Sequence, residues 1–163
     1  MSSFTQFTAE EQLRYCIGAS NKLGKDYWEV INGFRYYIGY KGSNRWVDVP
    51  AGYLTDGASI PRLLWWVLPP LGKYSAATTV HDMLCNTYYV IELIGGVETQ
   101  VPVSRKEIDE ILYEAMEALQ VETWKQVTIK GGVNLYRFAK RPTRPSESVK
   151  LASQYIDPVD LAA

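Results

Sequence analysis

Apolar residues fall into two kinds of spacing along this chain, and each predicts a kind of element. β-Branched and aromatic residues crowd DYWEVI (26–31) and FRYYIGY (34–40) on either side of Asn32-Gly33, a pair that favours a two-residue hairpin turn. Lys41-Gly42-Ser43-Asn44 predicts the next turn and RWVDVP (45–50) the next strand, so a meander of about three strands leads to a corner at Pro50-Ala51-Gly52. Tyr53-Leu54-Thr55 continues as a short strand. Residues 89–103 predict a second hairpin, two strands around Gly95-Gly96.

Elsewhere the spacing is helical. Between about Tyr74 and Tyr88, at ~100° per residue, Ala77, Val80, Leu84 and Tyr88 share one stripe, with His81 at its edge and Asp82 pointing further away. Ile108, Ile111, Leu112, Ala115 and Leu119 repeat in the same way behind a capping box, Ser104-Arg105-Lys106-Glu107, and Asp109 lies near the edge of that apolar face. A further helical segment runs from about Glu122, with Thr123 as its candidate cap, to Arg141, and is expected to break or loosen at Gly131-Gly132. A short helix entered through Ile60-Pro61 and capped by Ser59 must end before Pro69-Pro70-Leu71-Gly72. The opening stretch reads two ways: Thr8 and Glu11 can cap a short helix, while LRYCIGAS (13–20) suits a strand. The fold class is α+β, an antiparallel sheet built from the N-terminal meander and the later hairpin, packed against two or three helices. Residues 1–141 are expected to form a single domain, and 142–163 a Pro- and Ser-bearing C-terminal tail that packs on a neighbour or stays mobile.

Composition narrows the function classes. A net charge of −1 supplies no overall pull toward a polyanion, so nucleic acid is not an expected partner. At 47% hydrophobic and 13% aromatic the chain is too apolar for disorder. Two cysteines, Cys16 and Cys85, make no disulfide framework and suit a reducing cytoplasm. The start, MSSFTQFTAEEQ, has no signal-peptide pattern, and the longest apolar run, LLWWVLPPL (63–71), falls far short of the ~20 residues of a membrane span. That run could be core, a lid, or a partner-binding patch. The basic group Arg137, Lys140, Arg141 and Arg144 reads as a solvated helix end rather than a phosphate site.

The candidate chemistry centres on His81, the single histidine. An imidazole can serve as a base or a metal ligand, and a carboxylate can orient it or share the metal. Asp82 follows directly, but neighbours on a helix point ~100° apart and do not readily bind one ion together. HD-type metal hydrolases use such a dipeptide with additional histidines that this chain lacks. One nitrogen and two carboxylates, His81 with Asp56 and Asp109, could hold zinc, manganese or magnesium with positions open for water. Ser59 with His81 and an aspartate would make a nucleophilic triad, although no Gly-x-Ser-x-Gly elbow is present. His81 and Cys85 share one helical face, and Cys85 reads as a small core residue. The structural alternative gives each residue an architectural role, in which Asp56 holds a turn, Ser59 caps, His81 satisfies a buried group, and Asp109 pairs with Arg62 or Arg105.

Two runs, VPAGYLTDGASIPR (49–62) and PPLGKYSAATTVHDML (69–84), resemble the signature of domain of unknown function 1353, a family common in tailed phages and prophages. In that family an Asp-x-Ala-Ser-x-Pro turn, a His-Asp pair and a later Ser-Arg…Asp element recur. The resemblance carries these roles to Asp56, Ser59, Pro61, His81, Asp82, Ser104, Arg105 and Asp109, and implies that they converge. It also implies an aromatic residue where this chain has Cys85. Two functions follow from it. One is a small phage-encoded hydrolase, metal-assisted and directed at cell-wall peptide or glycan bonds, with His81, Asp82 and Ser59 as catalytic candidates and Asp56, His81 and Asp109 as ligands. The other is a non-enzymatic virion or tail component, or an accessory protein binding a host factor. Its partners would be other phage proteins or a host protein, in the host cytoplasm or the virion.

Overall fold

The computed structural model describes residues 6–57, 66, 68–145 and 147–155. The class is α+β, with the strands divided between two antiparallel sheets. The smaller holds β1 (Leu13–Tyr15), β2 (Trp28–Val30) and β5 (Leu54–Thr55) in the order β1-β2-β5. The larger holds β3 (Phe34–Tyr37), β4 (Arg45–Val49), β6 (Tyr89–Ile94) and β7 (Val97–Pro102) in the order β3-β4-β6-β7. Among the described residues four α-helices accompany them: α1 (Ile17–Leu23), α2 (Ser75–Thr87), α3 (Arg105–Ala118) and α4 (Thr123–Lys140).

The division into two sheets corrects the hairpin expected at Asn32-Gly33. A type I′ turn needs positive φ at both central residues, and neither Asn32 nor Gly33 has it. Gly33 is instead a close-approach residue: a Cβ there would stand 3.0 Å from the Ala51 amide nitrogen and 3.1 Å from the Val49 carbonyl oxygen. The chain therefore passes from the small sheet into the large one at this point, and β2 pairs with β1 and β5 rather than with β3. The Gly95-Gly96 hairpin, by contrast, forms as expected, because both glycines take left-handed φ, 60° and 81°.

The main core lies between the large sheet and two helices. Phe34, Tyr36, Val47 and Val49 alternate inward from β3 and β4 and meet Ala77, Val80 and Leu84 of α2 and Ile108, Leu112 and Met116 of α3. Each fully buried Leu or Ile contributes about 1.5–3 kcal/mol, which fixes the rotation of both helices about their axes. The Ser104 side chain caps α3 by accepting from the Glu107 amide, and Glu107 answers through the Ser104 amide.

Three further expectations are revised. Thr8 does not open a helix; its hydroxyl accepts from the Arg35 amide at 2.8 Å and its own amide donates to the Arg35 carbonyl, so this stretch lies along the edge of β3. The helix α4 runs unbroken through Gly131-Gly132, with Glu122 rather than Thr123 at its N-cap. Residues 149–155 fold back on their own chain: the Leu54 amide donates to the Lys150 carbonyl, the Ala152 amide donates to Gly52, and Gly18 of α1 is pressed against the Tyr155 carbonyl, where a Cβ would come within 2.5 Å.

A buried carboxylate and its two neighbouring faces

Because Ala77, Val80 and Leu84 are wholly buried, α2 is locked with His81 toward α3 and Asp82 toward the Tyr53 corner. The adjacent pair thus serves two separate polar centres, as the ~100° step between neighbours on a helix requires.

The first centre is built on Asp109, whose side chain has no solvent exposure at all. One carboxylate oxygen, Oδ1, accepts from His81 Nε2 at 2.8 Å and from Arg105 Nε at 3.0 Å. The other, Oδ2, accepts from Arg137 Nη1 at 3.1 Å. Three donors from three helices therefore converge on one carboxylate, which compensates the cost of its burial. Further contacts orient the guanidiniums. Arg105 stacks over the Tyr136 ring at 5.3 Å, and Arg137 also donates to Asn134 Oδ1, which accepts from the Tyr113 hydroxyl as well. Burial first, and the Arg105 charge in addition, push the His81 pKa below its ordinary 6.5, against the pull of Asp109. The shift favours the neutral ring, whose Nε2–H donates a hydrogen bond to the Asp109 carboxylate.

The second centre is a chain of hydrogen bonds on the opposite side of the helix. Asn86 Nδ2 donates to the Tyr53 hydroxyl at 3.1 Å, and that hydroxyl donates to Asp82 Oδ2 at 3.0 Å. Burial, and next the nearby Asp56 charge, push the Asp82 carboxyl from its ordinary 3.8 up to about 7. Asp56 itself is held by Lys25, whose Nζ lies 2.8 Å from Oδ2.

These placements decide among the sequence candidates. His81 and Asp109 meet, and Arg105 joins them. Asp56 does not: it pairs with Lys25, and among the described residues no three His, Cys, Asp or Glu side chains gather into a group able to hold a metal ion. The expected centre of Asp56, His81 and Asp109 is therefore not formed. Ser59, Pro61 and Arg62, with most of the run 63–67, lie outside the described residues. Within that run Trp66 is described, and it is 85% exposed. Cys85 Sγ stands 3.8 Å from both ring nitrogens of His81, so it is aligned with neither lone pair, and burial pushes its thiol pKa up to about 12. Such a thiol is a packing group rather than a nucleophile.

Arg137 was not recognisable from sequence, where it belongs to a basic helix end; here it crosses to Asp109. Tyr53 and Asn86 were missed too, although Asp82 and Asn86 stand four apart and so share one helical face. Two clefts open on the described surface, one of about 400 Å³ beside Phe34 and Asp48 and one of about 590 Å³ between Phe7 and Leu71. Neither is lined by His81, Asp82 or Asp109.

Neither the curated proteins nor the solved structures contain a match to the chain. The family described as "Protein of unknown function (DUF1353)" matches residues 28–133, a span that includes both the Tyr53–Asp82 chain and the His81–Asp109–Arg105 contacts. That span exceeds half of the sequence, and the protein belongs to this family.

Proposed function

We propose that this protein acts by binding rather than by catalysis, as an assembly or accessory module of phage or prophage origin. In this reading it is either a virion or tail component or a factor that engages a host protein. The observation that carries the proposal is Asp109: a carboxylate with no solvent exposure, each of whose oxygens accepts from protein donors, is out of a substrate's reach. It binds α2, α3 and α4 into one body, and His81 is one of its three donors. The phage setting rests on the signature in residues 49–62 and 69–84, and the exposed Trp66 between the two runs supplies a large ring for a partner.

The hydrolase reading keeps one observation in its favour. A half-buried Asp82 with its carboxyl near 7, next to Asp56, is poised as a proton donor or acceptor at neutral pH. Segment 58–65, with Ser59, begins two residues after Asp56 in the sequence. The test sets turnover against folding. The wild-type protein and its His81→Gln and Asp82→Asn variants are incubated with purified peptidoglycan, with and without zinc, manganese or magnesium, and their thermal unfolding is followed in parallel. The expected result is no soluble fragment from any of them and a lower melting temperature for His81→Gln. Release of fragments by the wild-type chain that either variant abolishes while still folded overturns the binding reading and establishes the hydrolase.

A further inference from the structure

Helix α4 differs from the others in leaving most of its apolar residues outside. Ile129 is its one buried residue among those described, while Trp124 is 48% exposed, Val127 63%, Leu135 68% and Phe138 76%. At ~100° per residue these four and Gly131 fall within an arc of about 80°, so they form a single seam about 20 Å long. Isolated apolar residues on a surface need no explanation, but a continuous stripe of this kind marks an interaction face.

The order of residues along the seam has a centre of symmetry. Counted from Gly131, Val127 lies four residues before and Leu135 four after; Trp124 lies seven before and Phe138 seven after. When two copies of such a helix pack antiparallel about a two-fold axis at Gly131, a residue a given number of positions before the glycine faces the residue the same number after it. Trp124 then meets Phe138 of the second copy, and Val127 meets Leu135. This is the self-complementarity that a two-fold interface demands.

Gly131 and Gly132 supply an independent indication. Glycine inside a helix costs roughly 1 kcal/mol relative to alanine, and neither residue has a positive φ to justify it. A Cβ added at either would meet nothing within 4 Å. Nothing among the described residues thus requires glycine here, whereas a second helix crossing at this point does, because a missing side chain lets two backbones approach.

Charge favours the same occupant. The seam carries no ionised side chain, and three of the four cations of α4 are paired: Lys125 with Glu122 at 3.0 Å and over the Trp124 ring at 5.4 Å, Lys130 over the Tyr113 ring at 4.9 Å, and Arg137 on Asp109, which leaves Lys140 in the last turn. Two copies can therefore approach without a like-charge clash, and a polyanion would find few free cations along the rim. Burial of the four side chains on both copies removes on the order of 1,000 Å² of apolar surface, which is the lower bound for a specific interface and suits a concentration-dependent dimer.

We propose that the exposed face of α4 is the interface of a two-fold symmetric homodimer, two antiparallel copies crossing at Gly131. The test is sedimentation equilibrium of the full chain over a wide concentration series, with Leu135→Asp and Gly131→Leu alongside the wild type. The wild-type mass should rise from 18.5 kDa toward twice that value with concentration. Leu135→Asp should weaken the association at least tenfold. Gly131→Leu is the sharper variant: it should raise the melting temperature of the monomer, since leucine is the better helix former, and yet weaken the dimer by holding the backbones apart. A chain that stays monomeric throughout overturns the proposal. So does a dimer that both variants leave intact, or one that Gly131→Leu strengthens. Co-flotation of the monomer with phosphatidylcholine–phosphatidylglycerol vesicles, lost in Leu135→Asp, would assign the face to a lipid surface instead.

Discussion

The two sides of helix α2 present the same chemical problem, a carboxyl group taken out of water, with opposite solutions. On the α3 side, Asp109 is given three donors, two of them guanidiniums, and its burial is compensated. On the Tyr53 side, Asp82 is given one phenolic donor and a second carboxylate nearby, and it retains a proton to about pH 7 instead. Burial alone therefore does not tell a structural lock from a reactive acid; what separates them is the count and charge of the donors. The side that carries the histidine is the satisfied side, and the side that resembles an active-site acid has no imidazole.

The largest expected effect breaks the first side. Asp109→Ala leaves Arg105 and Arg137 without their common partner inside the protein, and should cost about 3–5 kcal/mol in denaturant unfolding. A loss below about 1 kcal/mol would mean that the three helices are held by apolar packing alone.

A smaller effect, of opposite sign, belongs to the second side. Asp82 and Glu11 are both pushed up to about 7, chiefly by burial, with Asp56 adding to it at Asp82. Each holds a proton in the folded state that it has lost in the unfolded chain between about pH 4 and pH 7, so each makes the fold less stable as pH rises through that window. Lys25 and the Tyr53 hydroxyl oppose the shift at Asp82, and Glu147 adds to it. His81 works the other way. Its folded pKa lies below 6.5, so its contribution is present above that value and is lost as pH falls through it. With two carboxyls against one imidazole, the wild-type protein should lose stability from about pH 5 to pH 7. Asp82→Asn removes one of the two carboxyl contributions, so its stability should fall less steeply over the same range and, at about pH 8, be higher than that of the wild type. Parallel pH profiles of the melting temperature for the two proteins would contradict this.

Much of the layout was legible because it rests on local rules. The Ser104–Glu107 capping box, the Ala77-Val80-Leu84 stripe and the Gly95-Gly96 turn each need only neighbours in sequence. The failures have the opposite character. Asn32-Gly33 has the composition of a hairpin turn, but the position of residues 49–51, far along the chain, decides that the glycine is there for clearance. Gly131-Gly132 was expected to break a helix that contacts with α3 keep continuous. In the site, the meeting of His81 with Asp109 was foreseeable from helix faces together with the family signature. Arg137 could not be foreseen, since a basic residue near a helix end is ordinarily solvated, and its partner depends on how α4 crosses α3.

The central claim is that His81 is a neutral donor locked onto Asp109, and its most direct test is the proton titration of that ring by NMR, made unambiguous because the chain has a single histidine. The account predicts a midpoint below the ordinary 6.5, with ring resonances that do not move when zinc is added at neutral pH. A ring that titrates at or above that value while the fold is intact, or that shifts on adding zinc, would contradict it.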